Sequence, residues 1–162
     1  ADIRGARCVD LFAGTGALGL EAASRGASRV VLIEQARRAA RAIEDSARIL
    51  AGHDEQPAPP GGDGITVVRG DALRWLETCE PASIDIAFVD PPFDSGLAAR
   101  ALDRLAARGC LARGGRVYLE TARQEAMALP PGWCVVREKL LGEVRMQLLE
   151  WPAEASGRAH LG

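Results

Sequence analysis

Ile84-Asp85-Ile86-Ala87-Phe88-Val89-Asp90-Pro91-Pro92-Phe93 begins as an apolar run with β-branched residues and stops abruptly at a carboxylate, two prolines and an aromatic ring. The run is short and apolar on both faces, which predicts a buried parallel strand over 84–89. Pro91 and Pro92 end it, because neither can donate a ladder hydrogen bond and both fix φ. Asp90 and the carbonyls around it are then held just outside the carboxyl end of a sheet, where open α/β sheets bind ligands. A carboxylate, rigid carbonyls and an aromatic face suit a planar group bearing an NH₂. The plain alternative is a Pro-Pro turn followed by a core phenylalanine.

Upstream, Arg7-Cys8-Val9-Asp10-Leu11-Phe12 reads as a first strand, Ala13 to Gly19 as a loop, and Leu20 to Arg25 as a helix closed by Gly26. Gly14, Gly16 and Gly19 fit G-x-G-x-x-G between a strand and a helix, the setting that the nucleotide-binding fingerprint requires. Glycines at 14 and 16 let the backbone turn tightly and a ligand approach the helix N-terminus. The competing reading is a purely structural turn. Arg29 to Ile33 is a second strand ending at Glu34, about twenty residues past the first glycine, where an acid is expected to hold ribose hydroxyls. A solvated carboxylate opening the next helix is the alternative there.

That helix runs from Gln35 to Leu50, with Ala36, Ala39, Ala40, Ile43, Ala47 and Leu50 on one stripe. The Pro- and Gly-rich stretch 52–64 is expected to be a flexible loop insertion. Ile65 to Arg69 forms a third strand before Gly70-Asp71-Ala72, and a short helix carries Leu73, a core Trp75 and Leu76. Beyond the central stretch, Leu97 to Arg108 is an amphipathic helix, and Gly114-Gly115 turns the chain into a strand over Arg116–Glu120. A helical segment is expected at Gln124–Leu129. Trp133–Lys139 and Glu143–Trp151 follow as an antiparallel hairpin around Gly142.

The pattern predicts an α/β, Rossmann-like fold: a mostly parallel seven-stranded sheet, a C-terminal antiparallel hairpin, and helices on both faces. A single domain over 1–152 is expected, with a flexible tail over 153–162. An apolar fraction of 48% excludes general disorder. No run is long enough to span a bilayer, so no membrane partner is expected. The net charge of −2 gives no support of its own for nucleic-acid binding. Cys8, Cys79, Cys110 and Cys134 are scattered and histidines are few, which points to buried, reduced thiols in a cytoplasmic protein without a metal site.

Asp10, Glu34, Asp71 and Asp90 stand at four consecutive strand ends. A nicotinamide cofactor is disfavoured, because Asp10 directly before the glycine loop would repel a pyrophosphate but attract an ammonium or sulfonium group. No histidine, lysine or tyrosine sits at a strand end to serve hydride chemistry either. A ligand with an ammonium, a ribose and an adenine but no phosphate fits four acids better. S-adenosylmethionine has that composition.

Asp10-Leu-Phe-Ala-Gly-Thr-Gly-Ala-Leu-Gly-Leu-Glu-Ala22, Gly70-Asp71-Ala72, Asp90-Pro-Pro-Phe93 and Arg137-Glu-Lys-Leu-Leu-Gly142 resemble the RsmD-like methyltransferases. The resemblance runs from about Arg7 to Leu149. It implies methyl transfer to the exocyclic amine of a guanine in bacterial small-subunit ribosomal RNA, with the RNA or an assembling ribosomal particle as partner and a monomeric enzyme. The Asp-Pro-Pro-Phe motif is shared with adenine-amine methyltransferases of DNA, which keeps an adenine amine in DNA or RNA as the alternative acceptor; a nicotinamide oxidoreductase is the more distant one.

By that resemblance Asp10, Phe12, Gly14 and Gly16 belong to the cofactor site, with Asp10 and the glycines cradling the methionine part. Glu34 would bind the ribose hydroxyls, and Asp71 with the Ala72 amide would read the adenine. In the catalytic motif Asp90-Pro91-Pro92-Phe93, Asp90 and the Pro91 carbonyl would accept from the target NH₂, and Phe93 would stack on the flipped base. Members of the family carry a segment with a β-hairpin and an Arg-Pro-Thr stretch before the first strand, which this sequence lacks. It also has Gln35-Ala36 after Glu34, where an acid is common, Ser46 where asparagine is expected, and a longer 52–64 loop.

Overall fold

The computed structural model describes residues 2–52 and 63–151. The chain forms β1 (Arg7–Asp10), α1 (Ala17–Ser24), β2 (Arg29–Glu34), α2 (Arg37–Ala51), β3 (Gly64–Arg69) and α3 (Ala72–Glu77). Then follow β4 (Ile84–Val89), α4 (Leu97–Ala107), β5 (Leu111–Ala122), β6 (Cys134–Leu141) and β7 (Val144–Glu150). The strands make one seven-stranded sheet in the order β3-β2-β1-β4-β5-β7-β6. Pairs from β3 through β5 are parallel, and β7 runs antiparallel to both β5 and β6. The expected Rossmann-like sheet with a terminal hairpin is therefore present.

Strand alternation divides the core into two layers. Val9, Leu11, Val31, Ile33, Ala87, Val89, Val117 and Leu119 face one side, where Leu73 and Leu76 of α3 and Ala101, Leu102 and Leu105 of α4 pack. Cys8, Val30, Leu32, Ile86 and Phe88 face the other, against Ala22 of α1 and Ile43 of α2. Because β1 pairs with both β2 and β4, the chain order reverses at the β1–β4 boundary, and a crevice at the carboxyl ends of those strands follows from the topology.

Several expected elements differ. No helix forms at Gln124–Leu129: after β5 the chain turns at Arg123–Gln124 and runs on without regular structure to Pro130. Met127 and Leu129 are partly buried against the core while Ala126 and Ala128 are exposed, a period of two that a helix would break. The segment is also too short before Pro130-Pro131 to nucleate a helix unaided. Four βα units thus precede β5, and β5 runs on to the hairpin without the helix expected to complete a fifth unit.

β5 begins at Leu111, and Gly114-Gly115 lie inside it. Ile84 pairs with Leu111 but Ile86 pairs with Arg116, so the glycines bulge out of register, Gly114 at φ 77°. On α2 the buried stripe shrinks to Ala40 and Ile43, flanked by half-buried Ala39 and Ala47; Ala36 and Leu50 are exposed because they lie at the two ends of the helix, beyond the sheet's cover. Cys8, Cys79 and Cys110 are buried, but Cys134 is exposed, since it opens the edge strand β6. Apart from Gly52, Asp63 and Gly64, the expected 52–64 insertion lies outside the described residues, as does the tail from 153. Among the described residues no helix is long and apolar enough to cross a membrane.

Candidate active site

The three glycines of the fingerprint serve two different needs. Gly14 (φ 57°) and Gly16 (φ 82°) occupy the left-handed region that favours glycine. A Cβ on Gly14 would meet nothing within 4 Å, so open space lies before that turn. Gly19 has an ordinary φ, but a Cβ there would lie 2.6 Å from Leu32 Cδ2 and 3.3 Å from Asp10 Cβ. Its absence lets α1 settle onto β1 and β2.

Asp10 is drawn under that helix. It is 1% exposed, Oδ2 accepts from the Gly19 N–H at 3.1 Å, and Oδ1 is buried with no hydrogen-bond partner among the described residues. Burial, with repulsion from Asp90 and Glu34 and against the Gly19 and Phe12 amides, pushes its carboxyl up to about 7. A donor, and above all a cation, is what this carboxyl lacks.

Glu34, at the end of β2, ties the glycine loop to its own strand: Oε2 accepts from the Gly14 N–H at 2.7 Å and Oε1 from the Ala36 N–H at 2.9 Å. Each oxygen keeps a second lone pair for a hydroxyl. Asp71 caps α3, its Oδ1 accepting from the Arg74 N–H at 2.9 Å, and the next residue, Ala72, is buried at the first helical position, where amides have no intrahelical acceptor. Half-buried Phe12 packs against the core beneath the loop.

Asp90 follows β4. The hydrogen bond from the Leu11 N–H to the Phe88 carbonyl (3.1 Å) fastens the two strand ends together beside it. Burial, joined by the negative charge of Glu120, pushes Asp90 up to about 6. Pro91 is buried, and among the described residues no donor meets its carbonyl. The Pro92 carbonyl is taken by Ser95 Oγ at 2.6 Å, and Asp94 adopts φ 57°, so the motif is folded into a fixed turn before α4. Phe93 stands 51% exposed, as a ring awaiting a face to cover and not as the core residue of the plain alternative.

The sheet order sets the acids side by side: Asp71 beyond β3, Glu34 on β2, Asp10 on β1 and Asp90 beyond β4. Sequence reading missed a fifth. Glu120 lies on β5, one strand further along, and its strand-end position was visible, but its neighbour was not until β5 was seen to pair with β4. Among the described residues no group of three or more histidine, cysteine or acidic side chains is gathered as a metal site.

The family model described as conserved hypothetical protein 95 matches residues 1–150. Ribosomal RNA small subunit methyltransferase D of Escherichia coli (strain K12) is 34% identical over 156 residues, which span 95% of this chain and 73% of that protein. Its namesake from Haemophilus influenzae is 30% identical over 149 residues, 91% of this chain and 73% of the relative. Among solved structures, a putative methyltransferase, yhhF from Escherichia coli, superposes with a TM-score of 0.80 at 33% identity, covering 94% of this chain and 80% of that one.

Proposed function

The chain belongs to the RsmD family, matched by the conserved hypothetical protein 95 model, and from that premise we propose that it is an S-adenosylmethionine-dependent methyltransferase acting on the exocyclic amine of a guanine in small-subunit ribosomal RNA. The observation that carries this reading is the row of carboxylates at the β1–β4 crevice, with a buried Asp10 oxygen that lacks a partner among the described residues.

The residues fit the cofactor. Asp10 and the loop at Gly14 and Gly16 would hold the methionine part, Glu34 the ribose, and Asp71 with the Ala72 amide the adenine. When bound, the cofactor supplies an electrophilic methyl group on a sulfonium. Asp90 and the Pro91 carbonyl accept hydrogen bonds from the two N–H groups of the target amine and aim its nitrogen lone pair into the crevice, and the Asp90 carboxylate can take the one proton that the nitrogen loses on gaining the methyl group. That lone pair is delocalised into the guanine ring, and two fixed acceptors bend the NH₂ toward a tetrahedral geometry. Phe93, exposed beside them, offers its face to a base lifted from its stack. Positioning of this kind can supply roughly 7–11 kcal/mol of a barrier in ideal systems.

The test is to incubate the chain with methyl-labelled S-adenosylmethionine and unmethylated small-subunit ribosomal RNA, free or as small-subunit particles, and digest the product to nucleosides. N2-methylguanosine is expected. Methyladenosine, or no labelled nucleoside from either substrate, would overturn the reading.

A further inference from the structure

Two carboxylates, not one, stand where the target base is read. β4 and β5 are parallel neighbours with Phe88 opposite Tyr118 and Val89 opposite Leu119, so the next residues along stand level, Asp90 just past the end of β4 and Glu120 within β5, which runs on to Ala122. Alternation puts Asp90 on the face of Phe88 and Glu120 on the face of Tyr118, and those two rings meet edge to face at 6.1 Å. Both side chains therefore rise on one side of the sheet, from backbones one strand spacing (about 4.8 Å) apart. Tyr118 steadies the second from below, its hydroxyl 3.5 Å from Glu120 Oε2. Among the described residues no arginine or lysine forms an ion pair with either acid.

A pair of acceptors with no cation between them asks for a ligand edge made of adjacent donors. Guanine has one: the ring N1–H lies beside the exocyclic NH₂. In adenine and cytosine the atom beside the amine is a ring nitrogen with a lone pair, which a second carboxylate would repel. We infer that Glu120 is a specificity-determining residue of this site, accepting the guanine N1–H while Asp90 holds the amine, and so refusing bases whose amine is flanked by an acceptor. The inference rests on the guanine reading above and goes beyond it by naming the group that makes the choice.

The test uses an RNA whose methylated position has been mapped in the wild-type product and is then filled with guanosine or with 2-aminopurine ribonucleoside. The latter keeps the amine but presents a lone pair at N1. The wild-type chain is expected to favour guanine in kcat/KM by at least about tenfold, the scale of one well-formed paired contact to a base. Glu120→Gln, whose amide can turn either an acceptor or a donor to N1, is expected to lose activity on guanine and bring the ratio of the two bases toward one, with S-adenosylhomocysteine affinity unchanged.

A wild-type ratio near one, or a ratio that Glu120→Gln leaves in place, would overturn the inference while methylguanosine formation kept the function intact. Methyladenosine, or no labelled nucleoside, in the wild-type reaction would overturn the function and this inference together. Should Glu120→Gln not fold, the wild-type ratio alone decides, since a value near one is incompatible with N1–H recognition.

Discussion

The Gly19 amide donates to Asp10 Oδ2 at 3.1 Å, and this one bond seats the first turns of α1 on the carboxylate that ends β1. The same carboxylate has a second, buried oxygen with no partner among the described residues. Strand end, helix start and the proposed cofactor site are thus fastened at a single residue.

Asp10→Asn separates its two roles. Asp10 is held at about 7, above its ordinary 3.8, so between those values the folded chain keeps a proton that the unfolded chain has lost. Stability accordingly falls as pH rises from about 4 to about 7. The asparagine variant is expected to lose most of that slope in denaturant titrations at several pH values, and to bind S-adenosylhomocysteine at least about tenfold more weakly at pH 8, the scale of a charge-assisted hydrogen bond. A variant with wild-type affinity would contradict the assignment.

Wild-type cofactor affinity carries the same signature. A ligand ammonium prefers ionised Asp10, and below pH 7 a proton must leave first. Affinity for S-adenosylhomocysteine should weaken by up to about tenfold per pH unit below 7 and level off above it, whereas Asp10→Asn should flatten the profile. Calorimetry at pH 6, 7 and 8 checks this.

Asp90→Ala is expected to reduce methyl transfer by at least about a hundredfold, the scale of removing one preorganised contact to the reacting group, with cofactor binding largely intact. Since Asp90 is held at about 6 and acts as an acceptor when ionised, kcat at saturating cofactor should fall off below pH 6. Near-wild-type turnover in the alanine variant would remove Asp90 from the mechanism.

Gly19→Ala should destabilise the fold by about 1–3 kcal/mol, because its methyl would meet the Leu32 side chain at 2.6 Å. Leu32→Val should recover part of that loss in the double variant. Gly14→Ala meets open space, and its cost is only the left-handed backbone, about 1–2 kcal/mol. Thermal unfolding of the three variants distinguishes the packing penalty from the conformational one.

The parallel sheet was legible because its strands are apolar, short and closed by glycine, proline or an acid, as at Val89-Asp90-Pro91 and Ile33-Glu34. The glycine loop was legible as a motif, but the separate reason for Gly19 needed the position of Leu32. Composition around Gln124–Leu129 favours a helix; the core beneath Met127 and Leu129 selects an extended path, which local propensity does not encode. Leu50 fits the α2 stripe by spacing, yet among the described residues no element covers it at the helix end. Glu120 escaped notice for a topological reason: which strand lies beside β4 is fixed by tertiary pairing and not by any residue near Asp90.

The central claim is that the carboxylates at the β1–β4 crevice hold a phosphate-free adenosyl cofactor, and calorimetric titration of the chain with S-adenosylhomocysteine, with NADH in parallel, tests it most directly. Micromolar binding of S-adenosylhomocysteine and none of NADH is the predicted result. Preference for NADH, or no binding of S-adenosylhomocysteine, would contradict the account of Asp10, Glu34 and Asp71 together.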